Sequence, residues 1–554
     1  MKHFFLLSAV RLIGLGFMGV SVLSLPAHAE DFQQALVSAY QHNPRLLAER
    51  VRVREIDENY VQAQAAGRFT LNANGQIGRN LTKTESTFSP IENVSWLTPK
   101  SGQLTIVQPI YQGGRVSGLK AQAKAGVLSA RQGLRNAEQN LLLSAATAYL
   151  DVLRDEEAAN IRRNNVRVLT RQKFAATDRF DVGEGTRTDI AQADARLAAA
   201  EIGLANADAS LAVSRAAYVR FIGHAPANLT APPQFILPPS LNEAMNRARA
   251  NNPQLIAARY NENAAQSAIQ VAKSAGRPTL ALNGTLQSSR KSSSNFPLSE
   301  SVAVTAQLRI PIYSGGLNQS RVRAAKLAKA RSKFETRETE QAVDQTVANL
   351  WAQVVASERS LAASKKQVAA AEIAFEGVEL EQQVGTRNTL DVLDAEQELL
   401  NAKLSVIQAA RNLNVATYQL LVTIGGFDAY ALQLPVDHYD PRNNFNRVTA
   451  NPFEGYFPEP VEKFGKQLPN VVKDPINMVK PYVNKVGKDT LDLAKALLPT
   501  KAENATGKII RQLPDIPSSA IDAATISDPF DPGVKAAVPE DIDPQPILII
   551  TKTK

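Results

Sequence analysis

The sequence predicts an α+β membrane protein in which a short sheet is continued by very long helices, with the whole plan written twice. Three observations carry this. The 554-residue chain repeats its own motifs in one order. Segments of strict period-two alternation reach the ~9–11 residues that a tilted membrane-barrel strand needs. Two long proline-free stretches follow the strands, each spanning roughly 100 Å as a helix rising 1.5 Å per residue.

The repeat sets the order of elements. Asn43-Pro44-Arg45-Leu46 returns as Asn252-Pro253-Gln254-Leu255, and Gly67-Arg68-Phe69-Thr70-Leu71 returns as Gly276-Arg277-Pro278-Thr279-Leu280. Pro109-Ile110-Tyr111-Gln112-Gly113-Gly114 returns as Pro311-Ile312-Tyr313-Ser314-Gly315-Gly316. Each copy reads as helix, strand, strand, long helix, shorter helix. The opening helices start at Asn-Pro, with Asn as cap and Pro at the first helical position, and run to Gly67 and Gly276.

In the second copy Val302, Val304, Ala306, Leu308, Ile310 and Ile312 alternate with Ala303, Thr305, Gln307, Arg309 and Pro311, and Leu280, Leu282, Gly284 and Leu286 alternate with polar or small residues. The first copy repeats this at Phe69–Ile77 and, less regularly, around Leu104–Ile110. A polar stretch such as Ser288–Ser294 is expected as a water-facing loop. Four strands cannot close a barrel, and lipid tolerates no open sheet edge. Membranous strands therefore require several chains to share one barrel.

The Gly-Gly pairs turn strand into helix. Long helices are expected from about Arg115 to Asp181 and from Leu317 to Val384, and return helices from Asp189 to Ile222 and from Asp391 to Ile424. The opening and return helices, placed end to end, would match one long helix. Asp31–His42 and Gly223–Asn251 are read as a belt part-way along the helices.

Residues 1–29 read as a secretory signal peptide, with Lys2, an apolar run and Ala27-His28-Ala29 at the cleavage point. Residues 30–223 and 224–427 form the two repeats. Sixteen of the thirty prolines fall after Phe427, so 428–554 is expected to be a largely disordered tail, apart from patches such as Val483–Leu498.

Composition narrows the function. No cysteine is present, and only His42, His224 and His438 lie beyond the leader, which removes thiol chemistry and makes a zinc or His-based catalytic cluster hard to assemble. A net charge of +9 spread among acids argues for a solvated surface and against nucleic-acid binding.

The tips between long and return helices are the candidate site. Val384-Gly385-Thr386-Arg387-Asn388-Thr389-Leu390-Asp391-Val392-Leu393-Asp394 has a weaker copy at Val182-Gly183-Glu184-Gly185-Thr186-Arg187-Thr188-Asp189. Asp391 and Asp394, three apart, share a helix face. A ring of such pairs would favour cations at a constriction; a helix-start carboxylate favoured by the dipole is the plainer reading.

With these motifs the chain resembles the TolC family of outer-membrane efflux and secretion channels, over roughly Glu30 to Phe427. The resemblance implies a homotrimer sharing a twelve-stranded β-barrel, four strands per chain, in the outer membrane. A long α-helical tunnel continues it into the periplasm and closes at its far end. There a periplasmic adaptor (membrane fusion) protein and an inner-membrane efflux pump or ABC transporter dock; no cofactor is implied. Asp391 and Asp394 match the family's entrance aspartates, Arg387 its latch arginine, and Thr188 and Asp189 the latch partners on the neighbouring tip. Gln382 stands where the family's best-known member has a tyrosine. The resemblance favours the gate reading of the aspartates. The competing reading of the whole chain is a periplasmic coiled-coil adaptor or structural protein without a barrel.

Overall fold

The computed structural model describes residues 30–86, 89–290 and 298–450. The expected signal peptide, the tip of the loop after Arg290 and the proline-rich run beyond Ala450, including Val483–Leu498, lie outside the described residues.

The first copy opens with α1 (Phe32–His42) and α2 (Pro44–Ala65), followed by strands β1 (Thr70–Ile77), β2 (Asn80–Ser86), β3 (Ser89–Leu97) and β4 (Lys100–Gln112). It continues with α3 (Arg115–Asp181) and α4 (Arg187–Ile222). The second copy has α5 (Leu241–Asn251), α6 (Pro253–Ser274), β5 (Thr279–Arg290), β6 (Leu298–Arg309), α7 (Leu317–Gln383) and α8 (Thr389–Thr423). A last helix, α9 (Arg442–Ala450), follows.

Both long helices have 67 residues, with expected and observed ends agreeing within one residue. Local chemistry sets these limits. Gly113 and Gly114 have φ of 60° and 84°, and Gly315 and Gly316 repeat this at 61° and 81°. Such left-handed backbone is open to glycine at little cost. A Cβ at Gly113 would also come within 2.7 Å of the Arg277 Cβ.

The sheet order is β1-β4-β5-β6, all antiparallel, so the two copies join at β4 and β5. Its register aligns like with like. Leu71, Ile106, Gly284 and Val304 form one cross-strand row, and Ala73, Leu104, Leu286 and Val302 another, on the same face. Asn72, Thr105, Thr285 and Ala303, then Asn74, Gln103, Gln287 and Ser301, form rows on the opposite face. No described residue covers the apolar face of β6: Val302, Val304 and Leu308 are all exposed.

Three strand expectations change. β2 and β3 form a separate hairpin that the sequence pattern did not indicate. β5 extends through Ser288–Arg290, the start of the stretch that the sequence marks as loop. β6 stops at Arg309, leaving Ile310 and Ile312 outside it. Pro311 has no N–H to donate, and no strand among the described residues flanks β6 on that side.

The core lies where α3, α4, α7 and α8 meet α1 and the segment before α5. Phe32 meets Tyr149 edge-on at 5.3 Å, Phe235 meets Tyr418 at 5.3 Å, and Tyr418 stacks on Phe427 at 5.4 Å. The Tyr149 hydroxyl donates to the Thr230 carbonyl at 2.8 Å, giving the buried ring's polar end a partner.

The Asn-Pro starts are junctions. Asn43 caps α2 by accepting from the Arg45 N–H at 3.0 Å, and its amide donates to the Phe221 carbonyl at the end of α4 at 3.1 Å. Asn252 caps α6 in the same way and donates to the Thr423 carbonyl at the end of α8 at 2.9 Å. Each return helix therefore meets an opening helix end to end.

Order continues beyond Phe427. Residues 428–450 form a strap against α2 and α3. Asp428 accepts from Arg135 at 2.8 Å, the Ala429 N–H donates to Glu138 at 2.8 Å, and Asn444 donates to Asp57 at 2.8 Å. Phe445 packs on Tyr60 with ring centres 5.0 Å apart. The tail boundary expected at residue 428 therefore does not mark the end of packing, because a few spaced anchors hold a polar, proline-containing run.

Candidate functional site: the helical tips and the sheet face

Each tip ends a long helix and starts a return helix within five residues. At the second tip, Gly385 takes a φ of 81° and the Thr386 N–H donates to the Glu381 carbonyl at 2.9 Å. Asn388 then caps α8, accepting from the Asp391 N–H at 2.8 Å, while the Asp391 carboxylate accepts from the Asn388 N–H at 3.3 Å. This reciprocal box satisfies two donors that the helix start leaves open. Asp391 is thus the residue that closes the N-terminus of α8.

Asp394, one turn on, is engaged differently. Its carboxylate accepts from Arg196 of α4 at 2.6 Å, an exposed ion pair joining the two return helices. Arg387 donates to Glu381 at 2.9 Å across the tip and lies 4.0 Å from Asp391. Gln382 is buried, and its amide donates to the Thr389 hydroxyl at 3.3 Å.

At the first tip, Asp189 accepts from the Thr186 N–H at 2.9 Å and from its hydroxyl at 2.8 Å. Thr188 is exposed. Within one chain, the described contacts join Arg387 to Glu381 and Asp391, not to Thr188 or Asp189. Glu381 and Arg196 were not singled out from the sequence. Glu381 lies six residues before Arg387, across the turn, and Arg196 pairs over a separation of 198 residues, so neither follows a helical spacing.

The model of the outer membrane efflux protein family matches residues 35–224 and 244–426, nearly all of both copies. The chain belongs to the outer membrane efflux protein family. The outer membrane efflux protein BepC of Brucella suis is 33% identical over 443 residues, covering 80% of this chain and 94% of BepC. The outer membrane protein TolC of Escherichia coli is 26% identical over 431 residues, covering 75% and 85%. Among solved structures, the CmeC outer membrane channel of Campylobacter jejuni superposes with a TM-score of 0.65 at 14% identity, covering 76% of this chain and 89% of that one. For this efflux protein, the structural likeness speaks to the fold, while the family match covers both tips.

Proposed function

We propose that three copies of this chain build a passive exit duct through the outer membrane, gated at the helical tips, for drug efflux, type I protein secretion or both. The observation that carries this reading is the four-stranded sheet with one continuous apolar face and an unpaired strand at each edge. β4 pairs on both sides, and its last residues Tyr111 and Gln112 are held by Leu280 and Thr279 of β5. Tyr313, the counterpart of Tyr111 beyond the end of β6, is 86% exposed. Pairing β6 with β1 of the next chain, as β4 pairs with β5, supplies the missing neighbour and hides every edge. Three chains in this arrangement make twelve strands.

Family membership supports the outer-membrane location, and the name of the Brucella relative supports efflux. A periplasmic coiled-coil adaptor does not account for the sheet. In this reading the chain is a conduit rather than a catalyst. The helical end engages a periplasmic adaptor and, through it, an inner-membrane pump or ABC transporter.

At the tips, Asp391 and Asp394 of three chains ring the closed end and favour cations there. Arg387 and Gln382, with Thr188 and Asp189 of the adjacent tip, form the latch. Exposed pairs of this kind are worth only about 0–1 kcal/mol each, which suits an end that must open. The test is conductance in planar bilayers. Replacing Asp391 and Asp394 with Ala is expected to weaken block by divalent cations while the trimer survives unheated electrophoresis. Unchanged block would refute the ring. Replacing Arg387 with Ala is expected to raise closed-state conductance.

A further inference from the structure

Acidic residues are missing from one part of the molecule. None occurs in 59–84, 93–137, 263–299 or 301–334, which hold the sheet strands, Glu300 of β6 excepted, and the helix ends joined to them. Basic residues remain in those segments. Within the first ten residues of α3 lie Arg115, Lys120 and Lys124, and within those of α7 lie Arg321, Arg323 and Lys326. None of the six has an ion-pair partner among the described residues. Arg115, Lys124, Arg321, Arg323 and Lys326 are exposed.

Depth follows from helix geometry. Two residues separate β4 from α3 and seven separate β6 from α7, and these cations lie between 0 and ~14 Å from the sheet-side helix starts along the helix axis. On the reading of the sheet as membrane-spanning, on which this inference rests, that interval spans the headgroup layer and the screened zone next to it.

Direction follows from the repeat. Lys124 and Lys326 occupy equivalent positions of the two copies. Seven and eleven residues after Lys124, on the same face of α3, Arg131 lies 5.3 Å over the Phe445 ring and Arg135 binds Asp428. That face of α3 is therefore the one the strap covers. An open duct must carry such a layer on its outer side, so Lys124 and Lys326 face outward, toward lipid.

We infer that Lys124 and Lys326, with Lys120 and Arg323 within about 60° of them on the same helix faces, form a cationic collar that binds the phosphate headgroups of anionic phospholipids in the periplasmic leaflet of the outer membrane. Unopposed Lys and Arg next to an anionic leaflet each add attraction that falls off within a screening length. With three chains the collar closes around the barrel's neck.

The test compares purified trimer in phosphatidylcholine nanodiscs with trimer in nanodiscs containing about one-third phosphatidylglycerol. The lipid retained after detergent extraction is read by native mass spectrometry. The wild-type trimer is expected to retain phosphatidylglycerol in preference to phosphatidylcholine. The Lys124→Gln/Arg323→Gln/Lys326→Gln variant is expected to lose that preference by on the order of tenfold. The Arg331→Gln/Lys333→Gln variant changes charges ~21–24 Å along α7 and is expected to keep it. Trimers that insert normally but show no preference would overturn the collar and leave the duct reading intact. Equal loss in both variants would also overturn it, by showing a diffuse charge effect. Failure of the wild-type protein to enter either nanodisc would overturn the duct reading itself.

Discussion

At Val182–Asp189 and at Val384–Asp391 the backbone follows one path. Val182 and Val384 both sit at φ −91°, Gly183 and Gly385 both at 81°, and each return helix begins with a reciprocal capping box. The charges diverge. Where the second tip has Glu381, Arg387 and Asp394, the first has Arg179, Gly185 and Gln192 at the matching positions. Asp391, by contrast, has its counterpart in Asp189, and both do the same capping work. The shared residues build the turn. The unshared ones are where the two copies were free to differ, so Asp394, Arg387 and Glu381 are better candidates for a role peculiar to one tip than Asp391 is.

The same contrast runs through the body of the molecule. Arg135 and Arg337 are equivalent, but Arg135 is committed to Asp428, the Gly425 carbonyl and the strap, whereas Arg337 lies over Phe334 on its own helix. The largest effect is expected from Asp428→Ala, which strands a part-buried guanidinium and should cost about 3 kcal/mol in chemical denaturation. Arg337→Ala should stay within about 0.5 kcal/mol. Equal costs would erase the distinction between the copies.

Next in size is a pH effect confined to the first copy. Burial, reinforced by the Asp428 charge, pushes the Glu138 carboxyl up to about 7 from 4.5. The folded state then holds a proton that the unfolded state releases, so this contribution is fully present below about 4.5 and is lost as pH rises to about 7. Amide exchange in residues 428–450 should quicken over that window, and Glu138→Gln should flatten the dependence. An unchanged profile in the variant would assign the effect to another group.

Smaller still are the caps. Thr186→Ala and Asn388→Ala should each cost about 1 kcal/mol, visible as faster amide exchange at the mutated tip alone. A cost at only one tip would break the equivalence of the two turns. Smallest is Glu381→Gln, which removes an exposed pair worth about 0–1 kcal/mol. Its signature is a loosened second tip with no change at the first.

Much of this architecture was legible because its signals are local. Gly-Gly pairs and Val-Gly turns fix the ends of α3 and α7, and alternation marks the sheet strands. The β2–β3 hairpin escaped because Asn80-Leu81-Thr82-Lys83 lacks a sustained alternation, and its pairing alone defines it. The strap escaped because its anchors, from Asp428 to Phe445, are sparse and their partners lie about 290 to 390 residues away. At the tips, residue types pointed to the right turn, but the pairing of Asp394 with Arg196 depends on how two helices approach in space.

The asparagine junctions have a mechanical consequence. A continuous α3 or α7 transmits any twist along its full length, since every turn is bonded to the next. The composite rods of α4 with α2 and α8 with α6 lack that continuity: at Asn43 and Asn252 side-chain hydrogen bonds, not a continuous backbone ladder, join the two helix ends. Half of the rods are unbroken and half are jointed, so on the proposed gating a rotation at the tips would meet a joint in every composite rod before it reached the sheet.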